Sequence, residues 1–239
     1  MSVNIDTVYQ RVLNIANKEQ RGYITPQEFN LFADKAQLEI FDSYFYNIKT
    51  EYHQPTKSQT VIGDELDMIS EKLHPFYQEA TATHDVTQQI LPMPNNMHKL
   101  ITVTRSGGIQ LTEITPDEIN YVEGNPLTKA TINRPTFTRI NNGFIRINPT
   151  PLDEGGVGEV FNLKYYAKPT SPKWGYVVVK GRALYNSNDT ATTNFMLHAS
   201  EEEKVVMRIL QLAGISIMKP GIVEVAMSDA ARTKQEQNS

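Results

Sequence analysis

The sequence predicts an α+β protein in which its two end segments form an antiparallel helical bundle carrying an inserted antiparallel β module. Three observations lead there. Residues 1–75 place apolar side chains at helical spacing, residues 76–198 turn to β-branched and aromatic runs broken by Pro, Gly and Asn, and helical spacing returns from residue 199. The expected division is therefore 1–75 as the first part of the bundle, 76–198 as the β module, and 199–239 as the second part with a C-terminal docking tail.

Ile5, Val8, Tyr9, Val12, Leu13 and Ala16 lie on one helical face, which predicts an amphipathic helix ending near Gly22. In Thr25-Pro26-Gln27-Glu28, Thr25 caps the amide of Glu28, Pro26 fills a first-turn position where no donor is lost, and Glu28 reaches back. The helix that starts there carries two apolar stripes: Phe29, Phe32, Ala36, Ile40 and Tyr44 on one, Leu31, Leu38, Phe41 and Phe45 on the other. Burial on two sides fits a bundle centre or a neighbouring chain. A weaker helix is expected at 63–73, where Asp64, Glu65 and Asp67 suit the positive end of the helix dipole better than a calcium loop.

Segments 77–83, 86–91, 98–104, 137–148, 160–167 and 176–185 predict strands, and Asn141-Asn142-Gly143 predicts a hairpin turn. Thr115-Pro116-Asp117-Glu118 repeats the capping pattern, with Gly124 as an expected left-handed stop. Ser200-Glu201-Glu202-Glu203 repeats it again ahead of Val205, Val206, Ile209, Leu210, Leu212 and Ala213, with Gly214 as the expected end.

In 239 residues there is no cysteine, which removes disulfides, thiolate metal sites and cysteine nucleophiles. No stretch nears the ~18 apolar residues of a membrane span, and the start lacks a signal-peptide pattern, so a soluble chain is expected. The five histidines, His53, His74, His84, His98 and His198, form no metal-binding pair. Gly155-Gly156-Val157-Gly158 lacks the Lys-Ser/Thr of a phosphate loop, and no Gly-x-Ser-x-Gly elbow occurs, so no catalytic residue, cofactor or metal is assigned. The net charge of -4 divides along the chain into -7 over residues 1–133, +5 over 134–182 and -2 over 183–239. Opposite patches of that kind can meet between subunits, whereas a nucleic-acid binder would need a dominant basic face.

Trp174, the sole tryptophan, sits with Tyr176 in a proline-bounded stretch, Pro169 to Tyr176. It reads either as a core plug closing the end of the β module or as an exposed recognition loop. The apolar C-terminal stretch carrying Ile215, Ile217, Ile222, Val223, Val225 and Met227 reads either as a docking segment that orders on a partner or as a last helix folding back.

Several blocks together resemble structural proteins of tailed bacteriophages, notably of crAss-like and related short-tailed phages. They are Asn17 to Asn30, Ala36 to Phe41, Lys168 to Tyr176, and Ser200 to Ile215. The expected layout is also similar to the head-to-tail adaptor, or gatekeeper, of short-tailed phages. The resemblance implies a non-enzymatic virion ring, commonly twelve-fold, made in the host cytoplasm. It would join the portal protein to other connector or tail rings and extend the channel through which double-stranded DNA passes without sequence-specific binding or a membrane. Within that reading, Leu31, Leu38, Phe41, Phe45, Arg139 and Arg146 are the inter-subunit candidates. Two other readings stand beside it: a tail-associated module whose β insertion recognises a host receptor or glycan, and a virion-borne hydrolase, for which no nucleophile or metal motif speaks.

Overall fold

The computed structural model describes residues 2–18, 24–52, 59–85, 87–105, 107–141, 143–150, 158–188 and 190–216. In chain order they form α1 (Ile5–Lys18), α2 (Pro26–Tyr52), α3 (Gln59–Leu73), β1 (Tyr77–Thr83), β2 (Leu91–Pro92), β3 (Met97–Arg105), β4 (Thr112–Glu113), α4 (Ile119–Gly124), β5 (Thr136–Asn141), β6 (Phe144–Asn148), β7 (Val160–Ala167), β8 (Tyr176–Val179), β9 (Arg182–Tyr185) and α5 (Glu202–Ser216). Two compact units result. The first takes the chain up to Pro75 and again from Pro169 onward, and the second is Phe76–Lys168.

In the first unit, Asn4 starts α1 by accepting the amides of Asp6 at 2.8 Å and Thr7 at 3.2 Å. At α2 the expected capping box forms. The Thr25 amide and hydroxyl donate to Glu28 Oε2 at 2.9 and 2.8 Å, and the Glu28 amide returns to Thr25 Oγ1 at 3.3 Å. Phe29, Ala33, Ala36, Ile40, Phe41 and Tyr44 bury one broad face of α2. Helix α5 runs antiparallel to it, since Glu201 at the start of α5 lies beside Tyr44 while Arg208 pairs with Glu39.

The expected helical bundle is not what the chain builds. Among the described residues five α-helices stand beside nine strands in three sheets, and the helices do not form a bundle. The physical reason lies in what covers the helical stripes. Trp174, Phe195 and Leu197, from the irregular return of the chain, are core members of this unit with Val3, Ile5 and Phe29. The buried Gln37 fastens that return, donating to the Thr170 carbonyl at 2.8 Å and accepting the Met196 amide at 2.9 Å. A purely apolar seam between helices would offer no partner for it.

The second unit holds a three-stranded sheet, β1-β7-β3, and a four-stranded sheet, β2-β6-β5-β4. Both contribute to one core that includes Leu100, Val103, Phe137, Ile145, Leu163 and Tyr165. Pairing is antiparallel except between β4 and β5. The expected hairpin forms between β5 and β6, where Asn141 Oδ1 accepts the amides of Gly143 at 2.9 Å and Phe144 at 3.0 Å. Gly158 is required by close approach, because a Cβ there would lie 1.9 Å from the His84 carbonyl oxygen.

Four local expectations are corrected. Most of 86–91 is a turn, because Asp85 accepts the Thr87 and Gln88 amides at 2.9 and 3.1 Å. Thr115 bonds the Glu118 side chain rather than capping a helix, so α4 starts at Ile119 and ends without a left-handed glycine, Asn125 following at φ -106. Ser200 does not cap α5. His198 accepts the Ser200 amide, a 3-10 turn covers Ala199–Glu201, and α5 continues past Gly214 to Ser216. Finally, 176–185 is two strands rather than one.

Candidate functional site

Trp174 is 2% exposed and is the post around which one corner of the first unit is built. Its indole Nε1–H donates to Asp6 Oδ1 at 2.9 Å, its amide donates to Asn30 Oδ1 at 2.7 Å, and Asn30 Nδ2 donates back to its carbonyl at 3.3 Å. The Tyr9 ring lies 4.1 Å away, centroid to centroid. On another side the rings of Tyr176 and Tyr185 stack at 5.9 and 5.8 Å. Those two tyrosines are opposite each other at the foot of the β8–β9 hairpin. The foot is held from below as well: Lys173 and Thr193 exchange backbone bonds of 2.9 and 2.8 Å, and a Cβ on Gly175 would meet the Ala191 carbonyl at 2.7 Å.

Beyond the foot, the hairpin has no strand paired to either outer edge among the described residues. Its turn, Lys180-Gly181, has φ of 49 and 76, the signature of a tight two-residue connection between twisted strands. Val177 is 51% exposed, Val178 62%, Val179 46%, Leu184 53% and Tyr185 39%. Single exposed apolar side chains are ordinary, but five on the two four-residue strands of one hairpin make an exposed apolar patch. Alternation puts Val177, Val179 and Leu184 on one face and Val178 on the other, so both faces are apolar. An isolated two-stranded ribbon of this kind has little stability in water by itself, which is why the Trp174 post matters.

The predicted inter-subunit residues separate. Phe41 is fully buried against its own unit, edge-on to Phe45 at 5.1 Å, while Leu31 is 71% exposed and Leu38 and Phe45 are half-buried. Arg139 and Arg146 belong to the second unit, where Arg139 pairs with Glu113 at 2.7 Å and Arg146 is exposed. Trp174 is core, not an exposed recognition tip, and Tyr176 is half-buried against it. Ile215 lies in the last turns of α5, and Ile217, Ile222, Val223, Val225 and Met227 lie outside the described residues. The basic stretch 134–182 is cut by the unit boundary at Lys168. Counted by unit, the second has 8 Lys+Arg and 9 Asp+Glu, net -1, and the first the remaining 15 and 18, net -3. The charge contrast along the chain is therefore not a contrast between folded units.

Little else gathers chemistry. A depression lined by Arg105, Glu159 and Phe161 has room for about 20 Å³, on the scale of a single water. No group of three His, Cys, Asp or Glu side chains that could hold a metal occurs among the described residues. A buried charge cluster is structural in setting: Glu201, 3% exposed, takes Lys72 at 2.8 Å and Lys204 at 3.5 Å. Burial alone would raise the Glu201 pKa, but the two ammonium groups bring it below the ordinary value. Burial, and then the Glu201 charge, push the Tyr44 phenol up. No helix among the described residues is long and apolar enough to cross a membrane.

Sequence reasoning missed Val177, Val178, Val179 and Leu184 as a surface. The available signal was Lys180-Gly181, a two-residue spacer with Gly between two β-branched or aromatic runs. No family model matches the chain, and no curated protein sequence matches it.

Proposed function

We propose that this chain is a structural subunit that assembles with copies of itself, and that its place is a ring in the connector region of a tailed-phage virion. The observation that carries the self-assembly reading is the β8–β9 hairpin, which holds five exposed apolar side chains on a rigid foot. A ribbon presented in this way is suited to insertion into a neighbouring surface, where its aliphatic side chains leave water. The exposed Leu31 on α2 adds apolar surface on the same unit.

The connector assignment rests on the resemblance of the sequence blocks to tailed-phage structural proteins. It brings with it a ring, commonly twelve-fold in that family, that joins the portal to other connector or tail rings, with DNA passing through. Slight net negative charge on both units suits a wall that lets DNA slide without gripping its phosphates. In this reading the chain performs no catalysis. The test is the assembly state of the purified full chain by native mass spectrometry and electron microscopy. Closed rings of fixed copy number support the proposal, and a monomer at all concentrations, with and without portal, overturns it.

A second reading, a host-facing binding module, is favoured by Tyr121 and Leu127 of the second unit, 82% and 80% exposed on and beside α4, which buries none of its own residues. Loss of adsorption with intact assembly in Tyr121→Ala particles would select it.

A further inference from the structure

The hairpin and a second surface of the same unit are complementary in both polarity and charge. The hairpin tip carries Lys180 and Arg182 around the exposed Val177–Val179 strand. On α3, Met68 is 61% exposed; exposed Asp67 and Glu71, four positions apart, share one helical face beside it, with Glu71 three positions on from Met68.

These surfaces are anchored at different points along α2. The hairpin foot is fixed to Asn30 through Trp174. Lys72, one turn beyond Met68, is fixed to Glu201, which lies beside Tyr44. Asn30 and Tyr44 are fourteen positions apart on one helix, about 21 Å at 1.5 Å per residue. The four-residue strands reach only ~13 Å. The two anchor points on α2 are thus farther apart than the ribbon is long.

The geometry points to a head-to-tail contact in which the β8–β9 hairpin of one copy docks on the Asp67–Met68–Glu71 face of α3 in the next. This deepens, and rests on, the reading of the chain as a self-assembling subunit. Val177, Val179 and Leu184 cover Met68, and Lys180 and Arg182 meet Asp67 and Glu71. Because the two patches differ and sit apart on one compact unit, the contact is heterologous. It repeats from copy to copy and closes into a ring where the rotation per step allows.

The full chain and two single variants test it by analytical ultracentrifugation. Val177→Glu disables the hairpin, and Met68→Glu disables the α3 face; both positions are exposed, so circular dichroism should show unchanged folding. Each variant alone is expected to associate at least ~100-fold more weakly than the native chain, the scale at which a central interface residue acts. Mixed in equal amounts, they restore one intact contact per pair and should form a heterodimer that grows no further. Charge reversal gives the second arm: Arg182→Glu should weaken assembly at least ~10-fold, and Glu71→Arg in the same chain should recover it. Native assembly of either single variant, or failure of the mixture to form the heterodimer while the native chain assembles, overturns this contact and leaves self-assembly standing. A native chain that stays monomeric overturns both.

Discussion

Replacing Trp174 by alanine should destabilise the first unit by about 4–6 kcal/mol. The ring is 2% exposed, and truncating a buried Phe or Trp to Ala ordinarily costs about 3–5 kcal/mol. The indole N–H bond to Asp6 at 2.9 Å, a bond to a charged acceptor, adds about 1.5–3 kcal/mol that partly overlaps with packing. Against a typical total of 5–15 kcal/mol, about half the stability of the unit is at stake. Trp174→Phe keeps part of the apolar contact with Tyr9, Tyr176 and Tyr185 but loses the hydrogen bond and the volume of the second ring, so its loss should be about 2–4 kcal/mol, less than that of Ala. Urea unfolding followed by far-ultraviolet circular dichroism measures both, since fluorescence disappears with the sole tryptophan. Amide exchange should show the β8–β9 hairpin losing protection in Trp174→Ala before the rest of the unit. A loss below ~1 kcal/mol, or equal losses for Ala and Phe, would refute the post.

Three further outcomes are expected. Glu201 has a folded pKa below its usual 4.5, so its contribution is present above pH 4.5 and is lost as pH falls through the lower folded value; acid titration of native and Glu201→Gln chains should converge at low pH and diverge at neutral. Gly181→Ala, at φ 76 with open space around it, should cost about 1–2 kcal/mol from backbone strain alone, while Lys180→Asn at φ 49 should stabilise the turn, both read from hairpin amide exchange. Gln37→Leu removes both bonds made by the buried Gln37 side chain, to the Thr170 carbonyl and from the Met196 amide in a partly buried setting, and thermal unfolding should report a loss of about 1–3 kcal/mol.

The start of α2 was legible because its whole device, Thr25 to Glu28, lies within four residues, whereas the same pattern at Thr115 and at Ser200 did not cap a helix. Strands β1, β3 and β7 and the Asn141 turn were legible for a similar reason: composition and turn residues act over short distances. What covers a stripe is a long-range matter. The apolar pattern of α2 says that it is buried, and nothing in its spacing says that an irregular segment containing Phe195 and Leu197 does the covering. The same limit explains Trp174, whose partners Asp6, Tyr9 and Asn30 lie more than 140 positions away in the chain. Val-Val-Val reads locally as a strand buried on both faces, whereas Val177, Val178 and Val179 are exposed in a two-stranded ribbon.

The interrupted path of the first unit also fixes an order of synthesis. Its core takes in Ile5 and Phe29 early and Trp174, Phe195 and Leu197 late, while Phe76–Lys168 leaves the ribosome whole in between. At roughly 5–20 residues per second, the chain from Tyr52, where α2 ends, to Leu197 takes about 7–29 s to appear. During that interval the apolar sides of α1 and α2 have been made but their cover has not. Nascent α1 and α2 are therefore the part of this chain that a chaperone holding exposed hydrophobic segments would meet first, and the second unit is the part that can finish without waiting.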